Sequence, residues 1–211
     1  MMINTNEVIE FFDRLAPNWD ADMIRYDDVI GLILDNAGVK QGKDILDVAC
    51  GTGVLFPDYF SRDVASLTAI DISPKMIEIA RNKLENADIS SHNNCTDHKQ
   101  PAISIICGDV EVYDFGRQFD CIVVYNAFPH FPDPDRLVST LSKKLKPNGI
   151  LTIAHGMSRE KINSHHKGSA SHVSNGLMSA EELALIFEKY LDVTTLISDD
   201  RMYQVAGKYR G

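Results

Sequence analysis

At 211 residues the chain is long enough to bury one core with a small cap and too short for two ordinary domains. A content of 44% hydrophobic and 24% charged residues excludes a disordered or fibrous chain. A formal charge of -9 argues against a nucleic-acid partner, because such binding draws most of its free energy from Lys and Arg displacing counterions.

Residues 4 to 15 carry Val8, Phe11, Phe12 and Leu15 at helical spacing, with Asn4 or Thr5 available as a cap. The start, MMINTNEVIEFF, has no basic stretch ahead of an apolar one, and no run of 18 apolar residues follows anywhere, so neither export nor a membrane is expected. A second helix is predicted over Tyr26 to Ala37, closed by Gly38. Residues 1–40 thus read as an N-terminal helical cap on a core of residues 42–211, the whole forming a single domain. From Asp44 strand and helix alternate: strand Ile45 to Ala49, helix Val54 to Ser61, strand Leu67 to Asp71, helix Pro74 to Asn86. This is the rhythm of a doubly wound parallel sheet, an α/β fold.

The polar stretch Ala87 to Pro101 reads as a surface loop with solvated His92 and His98. Strands Ile103 to Cys107 and Phe119 to Tyr125, helix Asp133 to Leu145, turn Lys146 to Gly149 and strand Ile150 to His155 follow. Residues 156–178 are irregular and read as a lid. Ser179 and Glu182 form a capping box for a last helix, and Val193 to Ile197 with Met202 to Lys208 form an antiparallel hairpin. The four cysteines, Cys50, Cys95, Cys107 and Cys121, contain no CxxC pair, which fits a reduced, cytoplasmic protein.

ILDVACGTGVL, residues 45 to 55, is a glycine-rich turn after the first strand, a place where a ligand can approach backbone amides. A P-loop would need Lys and then Ser or Thr after the glycines, and Val54-Leu55-Phe56 stand there instead. A dinucleotide fingerprint counted from Gly51 and Gly53 would need a glycine at Phe56, so that cofactor class loses its third glycine as well. Acids are the stronger signal. Asp47 sits inside a strand, where a carboxylate is costly unless it meets backbone donors or a cation. Asp71 ends the second strand, placed to accept the hydroxyls of a ribose, and Asp109 follows the third, placed to accept from an exocyclic amine. The three suit a ligand with a cationic centre, a ribose and an amino-purine, and without phosphate.

In these motifs the chain resembles the class I S-adenosylmethionine-dependent methyltransferases. ILDVACGTG is similar to the family's first motif, with Ala49 for its usual first glycine; AIDISPKMIEIAR to its second; CGDVEVYDF to its third; and residues 119–154 to its fourth and fifth. The resemblance implies a Rossmann-like seven-stranded sheet of order 3-2-1-4-5-7-6 with strand 7 antiparallel. It implies S-adenosylmethionine as cofactor, held at Asp47, Gly51 and Gly53 by its methionine end, at Asp71 by its ribose, and at Ile72, Val110 and Asp109 by its adenine. Ala49, Met76, Gly108, Tyr125 and Asn126 complete the expected cofactor set.

Candidates for the acceptor side come from three places. YNAFPHF, after the fourth strand, offers Phe128 as an acceptor contact and His130 as a general base or a packing residue. FDRLAPNWD resembles an N-terminal pattern, FD-x-x-A-x-x-W/Y-D, of small-molecule members such as the ubiquinone and menaquinone biosynthesis enzymes; it offers Phe12 and Trp19 as acceptor contacts or as core. His155, His165, His166 and His172 crowd one segment, read as a polar lid with incidental histidines, as acceptor-contacting groups with His155 catalytic and His165 at the substrate, or as a metal site. Adjacent His165 and His166 point in different directions in most backbones, so no metal is expected. The resulting expectation is methyl transfer to a small-molecule acceptor by a monomer or homodimer, with O, N, C and S all open as the methylated atom. A non-catalytic S-adenosylmethionine sensor and an NAD-dependent oxidoreductase are the alternatives.

Overall fold

The computed structural model describes residues 3–91, 101–167 and 170–211; His92, Cys95 and His98 lie outside them. The cap consists of α1 (Thr5–Leu15), a 3-10 turn (Ala16–Asn18), α2 (Trp19–Asp22) and α3 (Asp27–Asn36). Asn4 caps α1 by accepting from the amide of Asn6 at 2.9 Å. The core then runs β1 (Asp44–Val48), α4 (Phe56–Ser61), β2 (Ser66–Asp71), α5 (Pro74–Ser91), β3 (Ala102–Cys107), β4 (Phe119–Tyr125), α6 (Pro134–Ser142), β5 (Leu145–His155), α7 (Arg159–His166), α8 (Ala180–Phe187), β6 (Leu191–Ser198) and β7 (Tyr203–Tyr209).

The strands form one sheet in the order β3-β2-β1-β4-β5-β7-β6, and β7 alone runs antiparallel to its neighbours β5 and β6. This is the Rossmann-like order that the motif resemblance implies. Strand alternation divides the apolar residues between two cores. Leu46 and Val48 face α6 and α8, where Leu137, Leu141, Leu183 and Phe187 pack, while Ile45 faces α3 and α4 with Ile30, Leu34 and Tyr59. The central strands are buried on both faces, so their residues are mostly apolar or small, as in SLTAID of β2 and Ile122-Val123-Val124 of β4. No helix among the described residues is long and apolar enough to cross a membrane.

Four elements differ from the sequence reading. The helix predicted from Val54 begins at Phe56, because Gly51 and Gly53 have φ of +55° and +81° and the chain is still turning. Helix α5 continues to Ser91, beyond the expected end at Asn86. The expected turn at Lys146 to Gly149 lies within β5, whose pairing with β4 shifts register between Phe119 and Cys121. The lid, read as irregular, contains α7, capped by Ser158 accepting from the amide of Lys161. Only Ile162 of that helix is buried, so it carries no apolar stripe to betray it.

Helix α8 gives a direct check of this packing. Leu183 is fully buried and Leu185 is 64% exposed. Leu183→Ala is expected to cost about 2 to 5 kcal/mol in urea denaturation, and Leu185→Ala to stay within about 0.5 kcal/mol.

Candidate functional site

Past the carboxyl ends of β1, β2, β3 and β4 the chain encloses a cleft of about 1140 Å³, its open mouth included. That is where doubly wound sheets bind ligands. Its floor is the turn after β1. Ala49 has φ of +54° and Gly51 +55°, so the backbone curls with its amides turned across the strand ends. Asp71, 8% exposed, holds this curl in place: one carboxylate oxygen accepts from the amide of Gly51 at 2.8 Å and the other from that of Ser73 at 2.8 Å. Burial nonetheless raises its pKa above the usual carboxylate range.

Asp47 is more deeply desolvated, at 2% exposure. Burial, and then the charge of Asp71, push its pKa well above the ordinary value. Among the described residues no Lys or Arg lines the cleft to relieve this, whereas Asp47, Asp71, Asp109 and Glu111 all do. Asp109 accepts from the amide of Glu111 at 2.9 Å, and Glu111 takes two bonds from Arg136 at 2.9 and 2.8 Å. Asn126, with φ of +54°, accepts from the amide of Gly156 at 3.0 Å and so ties the ends of β4 and β5 together. The Tyr125 hydroxyl occupies the space a side chain at Gly156 would need.

The cap covers the cleft. Thr52 donates to Asp20 at 2.6 Å and Ser73 to Asp13 at 2.6 Å, fastening the N-terminal segment onto the ends of β1 and β2. Phe12 stands edge-on to Trp19 (5.7 Å) and to His130 (4.9 Å). His130 has its Nδ1 2.8 Å from the carbonyl of Val173. A carbonyl only accepts, so Nδ1 carries the proton and Nε2 keeps its lone pair. Burial lowers the pKa of this ring to about 4, the Val173 contact working the other way.

The structure therefore gathers most of the residues singled out from the sequence. Asp47, Ala49, Gly51, Asp71, Ile72 and Met76 line the cleft from β1 and β2; Gly108, Asp109, Val110, Tyr125 and Asn126 line it from β3 and β4; Phe12, Trp19 and His130 close it. Four others do not line it. Gly53 faces the Phe56 ring, which a Cβ would meet at 2.5 Å, so its missing side chain serves packing. Phe128 is 3% exposed in the core beneath α6. His155 is 1% exposed, 6.1 Å from the Tyr203 ring, with neither ring nitrogen hydrogen-bonded. His165 is exposed on α7, and His166, about 100° further round the helix, is the one that turns inward. The His166 ring lies 5.1 Å from that of His130, and its Nδ1 is 2.7 Å from the Ser174 hydroxyl. Among the described residues no three His, Cys, Asp or Glu are grouped to hold a metal ion. Sequence reasoning also missed Ile3, Met23 and Glu111 as cleft residues; Ile3 and Met23 stand in no motif, and Glu111 sits in CGDVEVYDF two residues past the acid that was singled out there.

A family model described as a methyltransferase domain matches residues 46–153. The malonyl-[acyl-carrier protein] O-methyltransferase of Priestia megaterium is 32% identical over 210 residues, covering 90% of this chain and 69% of that protein. The chain belongs to the class I methyltransferase family. A second relative, the malonyl-[acyl-carrier protein] O-methyltransferase of Acetivibrio thermocellus, is 30% identical over 156 residues, covering 72% of this chain and 50% of that protein. The methyltransferase chain thus spans about half to two thirds of the length of these curated relatives. Among solved structures, the N-methyltransferase NodS from Bradyrhizobium japonicum in complex with S-adenosyl-L-homocysteine superposes with a TM-score of 0.68 at 17% identity, over 99% of this chain and 100% of that one. The shared fold of the methyltransferases accounts for the strand order and for the position of the cleft.

Burial of His155 makes the protein acid-sensitive in a definite direction. Burial, reinforced by His166 and His130, lowers the pKa of His155 to about 3. In the unfolded chain this ring titrates near 6.5, so its contribution to stability is complete above that pH and declines as pH falls towards 3. His155→Leu is expected to flatten the fall in Tm between pH 6.5 and 4.5; unchanged slopes would show that His155 does not contribute.

Proposed function

We propose that the chain transfers a methyl group from S-adenosylmethionine to a small-molecule acceptor bearing an O–H or N–H group. The observation that carries this reading is the buried Asp47, raised in pKa and with no described Lys or Arg beside it in the cleft. A desolvated carboxylate in such a place suits a ligand that brings its own positive charge. The other donors and acceptors fit the same group. Asp71 uses two of roughly four lone-pair sites on Gly51 and Ser73, which leaves capacity for ribose hydroxyls. Ile72, Val110 and Met76 offer an apolar slot for the adenine, with Asp109 at its edge.

When bound, S-adenosylmethionine supplies an electrophilic methyl on a cationic sulfur that departs as a neutral thioether. The remaining work belongs to the protein's own residues: Phe12 and Trp19 shield the space from water, and His130 takes the acceptor's proton on Nε2 as the new bond to carbon forms. The Val173 carbonyl, bonded to Nδ1–H, then stabilises the imidazolium. With its pKa lowered to about 4 the ring is neutral at neutral pH, so its Nε2 lone pair is free to accept. The relatives whose names specify O-methylation of malonyl-[acyl-carrier protein] support methyl transfer to oxygen among these options.

S-adenosylhomocysteine at 100 times its Kd is expected to stabilise the protein by about 2.7 kcal/mol in thermal unfolding, with no effect of NAD. Stabilisation by NAD alone would identify an oxidoreductase instead. Asp71→Ala is expected to weaken S-adenosylhomocysteine binding by about 1 to 3 kcal/mol, measured by calorimetry on protein whose folding is checked by circular dichroism.

A further inference from the structure

Behind the wall formed by Phe128, Pro129 and Phe131 lies a second open cavity, reached from the α7 side of the molecule. Its charge is opposite to that of the cofactor cleft. Arg159, Lys167 and His166 line it together with Asn163, Ser171 and Ser174, and no Asp or Glu does so among the described residues. In a chain of net charge -9 this is a local reversal of sign. Arg159 is also held in place. Arg159 donates through Nε to the carbonyl of Leu177 at 2.9 Å. Asn163 grips the same residue twice, donating to its carbonyl at 3.0 Å and accepting from its amide at 2.6 Å. Glu182 is near enough to feel the charge of Arg159, but its carboxylate is engaged by the Ser179 amide and hydroxyl, each at 2.9 Å.

The two cavities abut. Phe131 lines both, and His130 in the cleft stands ring to ring with His166 in the second cavity at 5.1 Å. We propose that the second cavity seats a carboxylate or phosphate group carried by the acceptor itself. The inference rests on the methyltransferase reading of the cleft and deepens it by naming a class of acceptor: a small anionic molecule whose O–H or N–H lies at its other end. The cleft offers an anionic group acids and no described Lys or Arg, while Arg159 and Lys167 attract it to the second cavity, which favours the orientation with the nucleophile towards His130. Arg159 suits this role because a guanidinium fixed at Nε still presents its terminal N–H groups to a carboxylate or phosphate.

The test uses the full chain and paired probes that differ only in charge, 4-hydroxybenzoate and 4-hydroxybenzamide, each titrated by NMR while following the His166 ring. The carboxylate is expected to bind at least tenfold tighter than the amide. Arg159→Gln should abolish that preference and Arg159→Lys retain part of it, with the S-adenosylhomocysteine Kd unchanged within twofold in both. Equal binding of the two probes, binding of neither, or a preference that survives Arg159→Gln would overturn the proposal. Inorganic phosphate is the third arm: it should compete with 4-hydroxybenzoate, and saturable phosphate binding without any preference for the carboxylate probe would indicate a free-anion site and overturn the acceptor assignment. Failure of S-adenosylhomocysteine to bind the wild type would count separately, against the methyltransferase reading.

Discussion

The site depends on one buried carboxylate. Asp71, at the end of β2, accepts from the amide of Gly51 after β1 and from its own loop at Ser73, both at 2.8 Å. Hydrogen bonds to a charged group contribute about 1.5 to 3 kcal/mol each, enough to offset part of the cost of burying the charge. The left-handed backbone at Ala49 and Gly51 is thus held across the strand ends at two points, by Asp71 at the Gly51 amide and by the Ile70 carbonyl at the Cys50 amide, 3.1 Å apart. Asp47 is then desolvated on the same floor, next to a second acid. Burial and Asp71 thus keep Asp47 in its proton-bearing form until a cationic ligand favours the carboxylate, on a floor arranged before the ligand arrives.

The roof is built differently. Val8 and Phe11 of α1 form a small apolar cluster with Ala170 and Val173 of the lid, separate from the two large cores that clamp the sheet. The same segment positions His130, because the Val173 carbonyl fixes its tautomer. Covering the cleft and orienting this ring are thus one structural event. The site thus divides into an acid-lined floor at the strand ends and a roof built from α1 and residues 170–173.

That division also sets what could be read from the sequence. The cofactor half was legible because its signals are local: a strand running into ACGTG, and acids at successive strand ends whose positions the sheet order fixes. Gly53 was the exception, since a glycine needed to clear Phe56 looks the same in sequence as one needed to admit a ligand. The acceptor half was not legible, because α7 has a single buried residue and no periodicity to mark it, and the choice between His165 and His166 is settled only by the helix phase. His155 and Phe128 follow or border strands that feed the site, yet both side chains turn into the core. The pocket around Arg159 combines residues of α7 with loop residues up to Met178, a tertiary arrangement that no motif announces.

The central claim is that the buried acid at position 47 exists to meet a cationic cofactor, and proton linkage tests it most directly. Calorimetric titration of S-adenosylmethionine between pH 5 and 7, in buffers of contrasting ionisation enthalpy, should show one site per chain, affinity that rises with pH, and release of a proton as Asp47 ionises against the bound charge. Asp47→Asn should abolish the proton release. Absence of binding, or binding that is independent of pH and releases no proton, would contradict the account.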